Sequence, residues 1–240
     1  MKIFLAGAGG AIGRRLVPLL CAAGHEVTGT TRSADKAAGV AALGAEPVVV
    51  DVFDAAALMR AVQVAAPQLI IHQLTDLPYA PSTPGYEAGL DRNARLRIEG
   101  TRSLVSAAKA AGVRRLIAQS IGFVYAPAAG LRVETDPLDL AATGARRRTV
   151  DGVVALEDAT LEMPEGIVLR YGLLYGPGTW FEREKRGTPG LHVDAAAQAA
   201  LLALTKAQRG IYNVAEDDGA ISSEKAKREL GFDAGFRIKS

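Results

Sequence analysis

The sequence predicts a doubly wound parallel α/β sheet with a small C-terminal cap, and three observations point there. Short apolar runs alternate with segments of helical spacing along the chain, the pattern of strand–helix–strand units with helices on both sheet faces. The third run is unusually apolar in Pro47-Val48-Val49-Val50, as a strand buried on both faces should be. Aromatic residues make up only 5% of the chain. The core is therefore built from Ala, Leu and Val, which fits helices on a sheet better than two sheets face to face.

Each element follows from its local pattern. Lys2–Ala6 reads as a strand, after which Ile12, Leu16, Leu19, Leu20 and Ala23 recur at helical spacing until Gly24. Glu26–Thr31 is a second strand, Ser33 an N-cap for a helix reaching Leu43, and residues 46–50 a third strand. Ala55–Ala65 is helical and 68–74 is a fourth strand. A long helix is expected over 87–111, stopped by Gly112, with a fifth strand over 114–120. Beyond a stretch rich in Pro, Ala and Gly, 148–162 is helical, with Val150, Val154, Glu157 and Leu161 on one face. A strand at 166–170, a helix at 193–207, a strand at Gly210–Val214 and a helix at 223–230 complete the chain. Parallel strands bring the loops after Ala6, Thr31, Val50, Leu74, Ser120 and Arg170 to one edge, where such sheets bind ligands. The expected division is a main ligand-binding domain over 1–170 and a reduced substrate region over 171–240, interleaved with the last sheet elements.

Composition excludes several classes. A net charge of +2 over 240 residues argues against nucleic acid or a membrane surface as partner. The one basic cluster, Arg146 to Arg148, reads as a solvated loop or helix start. Cys21 is the only cysteine, so no intrachain disulfide forms and a reducing compartment fits. His25, His72 and His192 are far apart in sequence, which gives no metal-site spacing. Arg14 and Arg15 interrupt the first apolar run, which speaks against a signal peptide. No stretch approaches the roughly 18 apolar residues of a membrane span. A cytoplasmic protein is expected.

The segment Gly7-Ala8-Gly9-Gly10-Ala11-Ile12-Gly13 follows a strand and opens a helix. Gly7 permits a tight turn, Gly10 lets the backbone approach a pyrophosphate, and Gly13 lets the helix pack close to the sheet. The amides of Ala11 and Ile12 stand at the helix N-terminus, which favours phosphate charge. This is a dinucleotide-binding pattern. The second strand ends in Thr30-Thr31-Arg32-Ser33 without an acid; Arg32 and Ser33 suit a 2′-phosphate, so NADP is expected, with NAD as the alternative. Asp51 either accepts from the adenine amino group or caps the next helix. Val52, Leu74 and Thr75, at the ends of the third and fourth strands, complete the expected cofactor contacts.

At this point the chain resembles the extended and atypical short-chain dehydrogenase/reductases, the NAD-dependent epimerase/dehydratases. The resemblance rests on the glycine loop, Asp51-Val52, Ile71-His72-Gln73-Leu74 and Gly100-Thr101-Arg102-Ser103-Leu104. It continues through the run from Leu169 to Gly178, His192-Val193-Asp194 and Tyr212-Asn213-Val214. It implies a Rossmann-like domain for NAD(P), a C-terminal substrate cap, and a small carbonyl or sugar-type substrate. A homodimer through the long helix after the fourth strand and the helix near Glu157 is also implied. The family's chemistry uses a Ser or Thr with a Tyr-x-x-x-Lys pair, the Tyr moving a proton at the substrate oxygen. Here Ile121 holds the hydroxyl position, with Ser120 one residue early, and Thr149 and Val153 hold the Tyr and Lys positions. No lysine occurs between Lys109 and Lys185. The proton donor is then Tyr125, Tyr171 or Tyr175, each of which could instead be pocket lining. The alternative is a protein that senses NAD(P) without turnover. For hydride transfer, the Tyr171-Gly172 backbone and Ser120 should line the nicotinamide side. His72 reads as a satisfied core histidine, and His192 and Asp194 as packing and capping at a helix start. The segments between Trp180 and His192 and between Asp218 and Ser223 are shorter than the family's substrate region, which fits either a reduced cap with an open pocket or loops that the sequence omits.

Overall fold

The computed structural model describes residues 1–77 and 80–239. Seven parallel strands form the main sheet: β1 (Lys2–Ala6), β2 (Glu26–Thr31), β3 (Glu46–Val49), β4 (Leu69–His72), β5 (Arg115–Ile121), β6 (Glu165–Tyr171) and β9 (Gly210–Val214). Their order is β3-β2-β1-β4-β5-β6-β9. The order reverses between β1 and β4, and the site is built around that switch point. A two-stranded sheet, β7 (Leu173–Tyr175) with β8 (Gly190–His192), was not legible as strands. Each of its strands is three residues long, too short for a periodic pattern.

Eight α-helices connect the strands: α1 (Gly13–Ala22), α2 (Ala37–Ala42), α3 (Ala55–Ala65), α4 (Tyr86–Arg95), α5 (Thr101–Ala110), α6 (Gly144–Leu161), α7 (Val193–Lys206) and α8 (Glu224–Leu230). Residues on each strand alternate between two cores. On β1, Ile3 and Leu5 join a core with α1, α7 and α8, while Phe4 and Ala6 join another with α3, α5 and α6. α7 meets this first core through Ala195, Ala196, Ala197, Ala199, Ala200 and Ala203, all fully buried. These small side chains let α7 lie close against α1 and β6.

Five elements differ from the sequence expectation, each for a local reason. β3, expected to be buried on both faces, is the edge strand of the sheet, and its Val49 is 51% exposed. β4 stops at His72 instead of Leu74, because Ala6 ends the neighbouring strand and Gln73 N–H already donates to its carbonyl at 2.8 Å. The long helix is interrupted by a π turn at Leu96–Gly100 between α4 and α5. α6 begins at Gly144, so Arg146, Arg147 and Arg148 lie in its first turns, each with an acidic partner. Ser33 occupies an N-cap position before the short 3₁₀ turn Ala34–Lys36, yet makes no capping bond; its hydroxyl donates to the Asp35 carboxylate.

No described helix is long and apolar enough to cross a membrane. Among the described residues, the exposed large apolar side chains are Met1, Val49, Val64, Phe123, Leu131, Val133 and Leu140. None lies on α4, α5 or α6, the helices expected to form a dimer face.

Candidate cofactor and substrate clefts

Two clefts open at the carboxyl edge of the sheet and meet at Thr75. The first, about 770 Å³, runs across the ends of β1 to β4. The second, about 480 Å³, lies over the ends of β5 and β6 and is bounded by α4, α6 and the loop containing Trp180.

The glycine loop forms one wall of the first cleft. Gly7 has φ +96°, and a Cβ there would come within 2.8 Å of the Gln73 carbonyl oxygen. A Cβ on Gly13 would meet the Gly7 carbonyl oxygen at 2.2 Å. Both positions therefore exclude a side chain for reasons of packing. Gly10 differs: its missing Cβ would meet only the Gly7 oxygen, at 3.4 Å, so its vacancy widens the cleft. Ala11 faces the second cleft, and the Ile12 side chain is in the core.

Arg32 and Ser33 line the far end of the first cleft, together with Arg14 and Lys36. Arg32 is half-exposed and pairs with Asp76 at 3.5 Å, and Arg14 Nε donates to the Gly9 carbonyl at 2.8 Å. The apolar section is made by Val50, Val52, Leu58, Leu74 and Leu96. Asp51 is outside it: the exposed carboxylate accepts from Phe53 N–H at 3.0 Å, and the cap of α3 comes from Asp54, which accepts from Ala57 N–H at 2.9 Å. Asp51 therefore does not cap α3.

Gln73 also lines the first cleft. It is 4% exposed, and neither its amide nitrogen nor its amide oxygen has a hydrogen-bond partner of good geometry among the described residues, although the Tyr171 hydroxyl is near enough to feel the amide. A buried amide left in this state costs free energy unless a ligand completes it. That orphaned amide and the cradle at Gly10 fit a bound dinucleotide. His72 beside it is occupied. Leu74 N–H donates to Nδ1 at 3.2 Å, so Nε2 carries the proton and donates to Thr101 Oγ1 at 3.1 Å. Burial, then the charge of Arg97, holds its pKa down to about 4.

The three tyrosines proposed from sequence do not bring their hydroxyls into the second cleft. Tyr125 Oη donates to Asn213 at 2.6 Å and accepts from Arg170 at 2.8 Å within a buried network. Tyr171 contributes to the cleft wall, but its hydroxyl donates to the Ala196 carbonyl at 3.2 Å, and burial pushes its pKa up. Tyr175 donates to Glu216 and stacks edge-on against His192. Ser120 is also turned away. Gln119 and Ile121 line the cleft, so the intervening Ser120 points to α6 and donates to Glu157 at 2.7 Å. Gly172 does line the cleft, with β8 so close that a Cβ would meet Gly190 at 2.9 Å.

On α6, Thr149 opens onto the second cleft while Val153 is buried with Ile121 and Val150. Val153, which the resemblance aligns with the family's lysine, is therefore a core residue. His192 accepts from Asp194 N–H at the start of α7, at 3.2 Å. The two short C-terminal segments are tied together by Lys185, which pairs with Asp218 at 2.7 Å, and by Asp218 accepting from Gly190 N–H. Residues that the sequence reading did not place in the site include Arg14, Lys36, Gln73, Tyr86, Arg97 and Trp180. Among the described residues no cluster of His, Cys, Asp and Glu could hold a metal ion.

Comparison with known proteins agrees with this geometry. An NAD(P)H-binding family matches residues 7–154. A 3-diazoavenalumate denitrifying reductase from a Streptomyces species is 37% identical over 250 residues, covering 93% of this chain and 79% of the relative. Among solved structures, UDP-glucose 4-epimerase of Thermotoga maritima with UDP-glucose superposes with TM-score 0.79 at 18% identity, over 99% of this chain and 94% of that one. UDP-glucose 4-epimerase of Thermus thermophilus with NAD gives 0.75 at 19% identity, over 99% and 95%. The last two show the fold alone. Family match and reductase relative together make the chain a member of the NAD(P)H-binding family and an NAD(P)-dependent enzyme.

Proposed function

We propose that the chain is an NADPH-dependent reductase acting on a small, largely apolar substrate in the second cleft, at a centre that requires no Tyr–Lys proton donor. The observation that supports this reading is the face of α6, where the residues that the resemblance aligns with that pair are Thr149, open to the second cleft, and Val153, buried in the core. When bound, the reduced nicotinamide supplies a hydride. Gly7, Gly10 and the amides opening α1 would hold the pyrophosphate, Arg32, Ser33, Arg14 and Lys36 the 2′-phosphate, and Gln73 the end nearest Thr75. Three cations at that end of the cleft support NADPH over NADH.

Reduction of a carbonyl leaves an alkoxide that must be protonated, which is the work of the absent pair. A diazonium group takes up one hydride and departs as neutral dinitrogen, so nothing in the cleft has to deliver a proton to oxygen. The name of the Streptomyces relative, a denitrifying reductase of a diazo compound, belongs to this class of chemistry. We assign this chain to the same class of electrophile.

The test is NADPH oxidation followed at 340 nm with benzenediazonium and with matched aldehydes, each corrected for the rate without protein. The expected result is oxidation with one dinitrogen released per NADPH for the diazonium compound, and no turnover of aldehydes. Turnover of aldehydes at comparable rates, or none of either, overturns the reading.

A further inference from the structure

The second cleft carries a positive charge with no counterpart. Arg97, in the π turn, is 5% exposed on the cleft wall. Its guanidinium makes neither a hydrogen bond nor an ion pair with any described residue; burial is the main influence on it, and Glu157 is the described acid whose charge bears on it. Glu157 is engaged elsewhere: Arg170 holds both of its oxygens, at 2.9 and 2.6 Å, and Ser120 donates to it at 2.7 Å. Arg170 and Glu157 cancel, and Arg97 remains. A buried cation without a partner is costly; a ligand anion that accepts two parallel N–H bonds would complete it.

Two further features define that anion's carrier. Asn93 lies one helical turn before Arg97, on the same face. Its Oδ1 accepts from Asp76 N–H at 2.9 Å, which leaves its amide nitrogen without an acceptor among the described residues. The rest of the wall is apolar and aromatic. In a chain with 5% aromatic residues, Tyr86, Phe123 and Trp180 all line this cleft. Tyr86 and Trp180 meet edge-on, with centroids 6.0 Å apart.

We propose that Arg97, assisted by Asn93, anchors the carboxylate of an aromatic acid whose ring lies among Tyr86, Phe123 and Trp180. The other end of the acid then faces Thr75, where the two clefts meet. The anchoring role stands on the geometry of this cleft; only the identity of the reacting end rests on the reductase reading above.

Trp180 is the only tryptophan, so its fluorescence reports occupancy of this cleft directly. The probes are 3-phenylpropanoate and the matching amide, 3-phenylpropanamide, titrated into protein loaded with NADP. The acid is expected to bind about tenfold more tightly than the amide, the scale of one charge-assisted contact. Arg97→Gln should abolish that preference, Arg97→Lys should keep part of it, and NADPH binding should be unchanged in both. Equal binding of acid and amide to the native protein overturns the proposal, as does a preference that survives Arg97→Gln. Should Arg97→Gln not fold, the acid-to-amide ratio on the native protein decides alone. Absence of NADPH oxidation with every electrophile would sink the reductase reading and leave the Trp180 result standing.

Discussion

Gln73 and Arg32 mark the two ends of the cofactor cleft, and each gives a prediction. With both polar atoms of its side chain buried and unpartnered, Gln73 destabilises the cofactor-free protein. Gln73→Leu is therefore expected to raise its stability by about 1–3 kcal/mol while weakening NADPH binding about tenfold. Urea unfolding and a fluorescence titration measure the two effects, and the opposite signs are the point: replacing a Gln73 that merely supported the fold would lower stability as well as binding. Arg32→Asp should weaken NADPH by about tenfold or more through loss of a phosphate contact and leave NADH within about threefold. Equal losses for the two cofactors would remove Arg32 from the 2′-phosphate site. The glycine loop was legible because its spacing reports backbone requirements directly. Gln73 and Arg97 were not legible as site residues. A buried amide without a partner is a property of three-dimensional packing, and an arginine on the stripe formed by Leu90, Asn93, Thr101 and Leu104 was the only sequence signal for Arg97.

Strands and helices fix which side of the sheet each residue serves, and this is where single-residue register decided the outcome. Sequence brought Ser120 to the right edge, but period two along β5 turns it towards α6, and its neighbours Gln119 and Ile121 take the cleft. The same side of the sheet holds the pair Glu157–Arg170, with side chains 5% and 4% exposed. This pair joins α6 to β6 and receives Ser120 and Tyr125. Arg170→Met should leave a buried carboxylate unpaired and cost about 3–5 kcal/mol, read by chemical denaturation. The double variant Arg170→Met with Glu157→Leu should recover most of that loss, and failure to recover would show that the pair does more than neutralise itself. The succession and type of the main strands along the chain were readable because most, β2 excepted, are short apolar runs bounded by turn residues. The π turn was not, since helical spacing is the same on either side of it and only one residue of phase separates them. Tyr125 was misread for a similar reason: its loop position was clear, but the network that claims its hydroxyl comes from β6 and β9.

At the scale of the whole molecule, acid should unfold the protein through its histidines. Burial holds the His72 pKa at about 4 against an ordinary 6.5, so the unfolded chain binds the proton that the folded chain refuses. Stability is complete above pH 6.5 and falls as pH drops towards 4, by about 3 kcal/mol for this group. His25 and His192 are shifted in the same direction, mainly by burial. Replacing His72 with Gln should flatten most of the slope of unfolding free energy between pH 6.5 and 4.5, and an unchanged slope would exonerate it. The junction at Thr75 has a consequence for the order of events. A nicotinamide lying there would form part of the surface that a second ligand meets, so the second cleft is incomplete until the first is filled. Initial rates should then follow a compulsory sequence with the dinucleotide first. An inert aromatic acid occupying the second cleft should inhibit uncompetitively against NADPH, lowering both the apparent Vmax and KM, whereas random entry would give a mixed pattern.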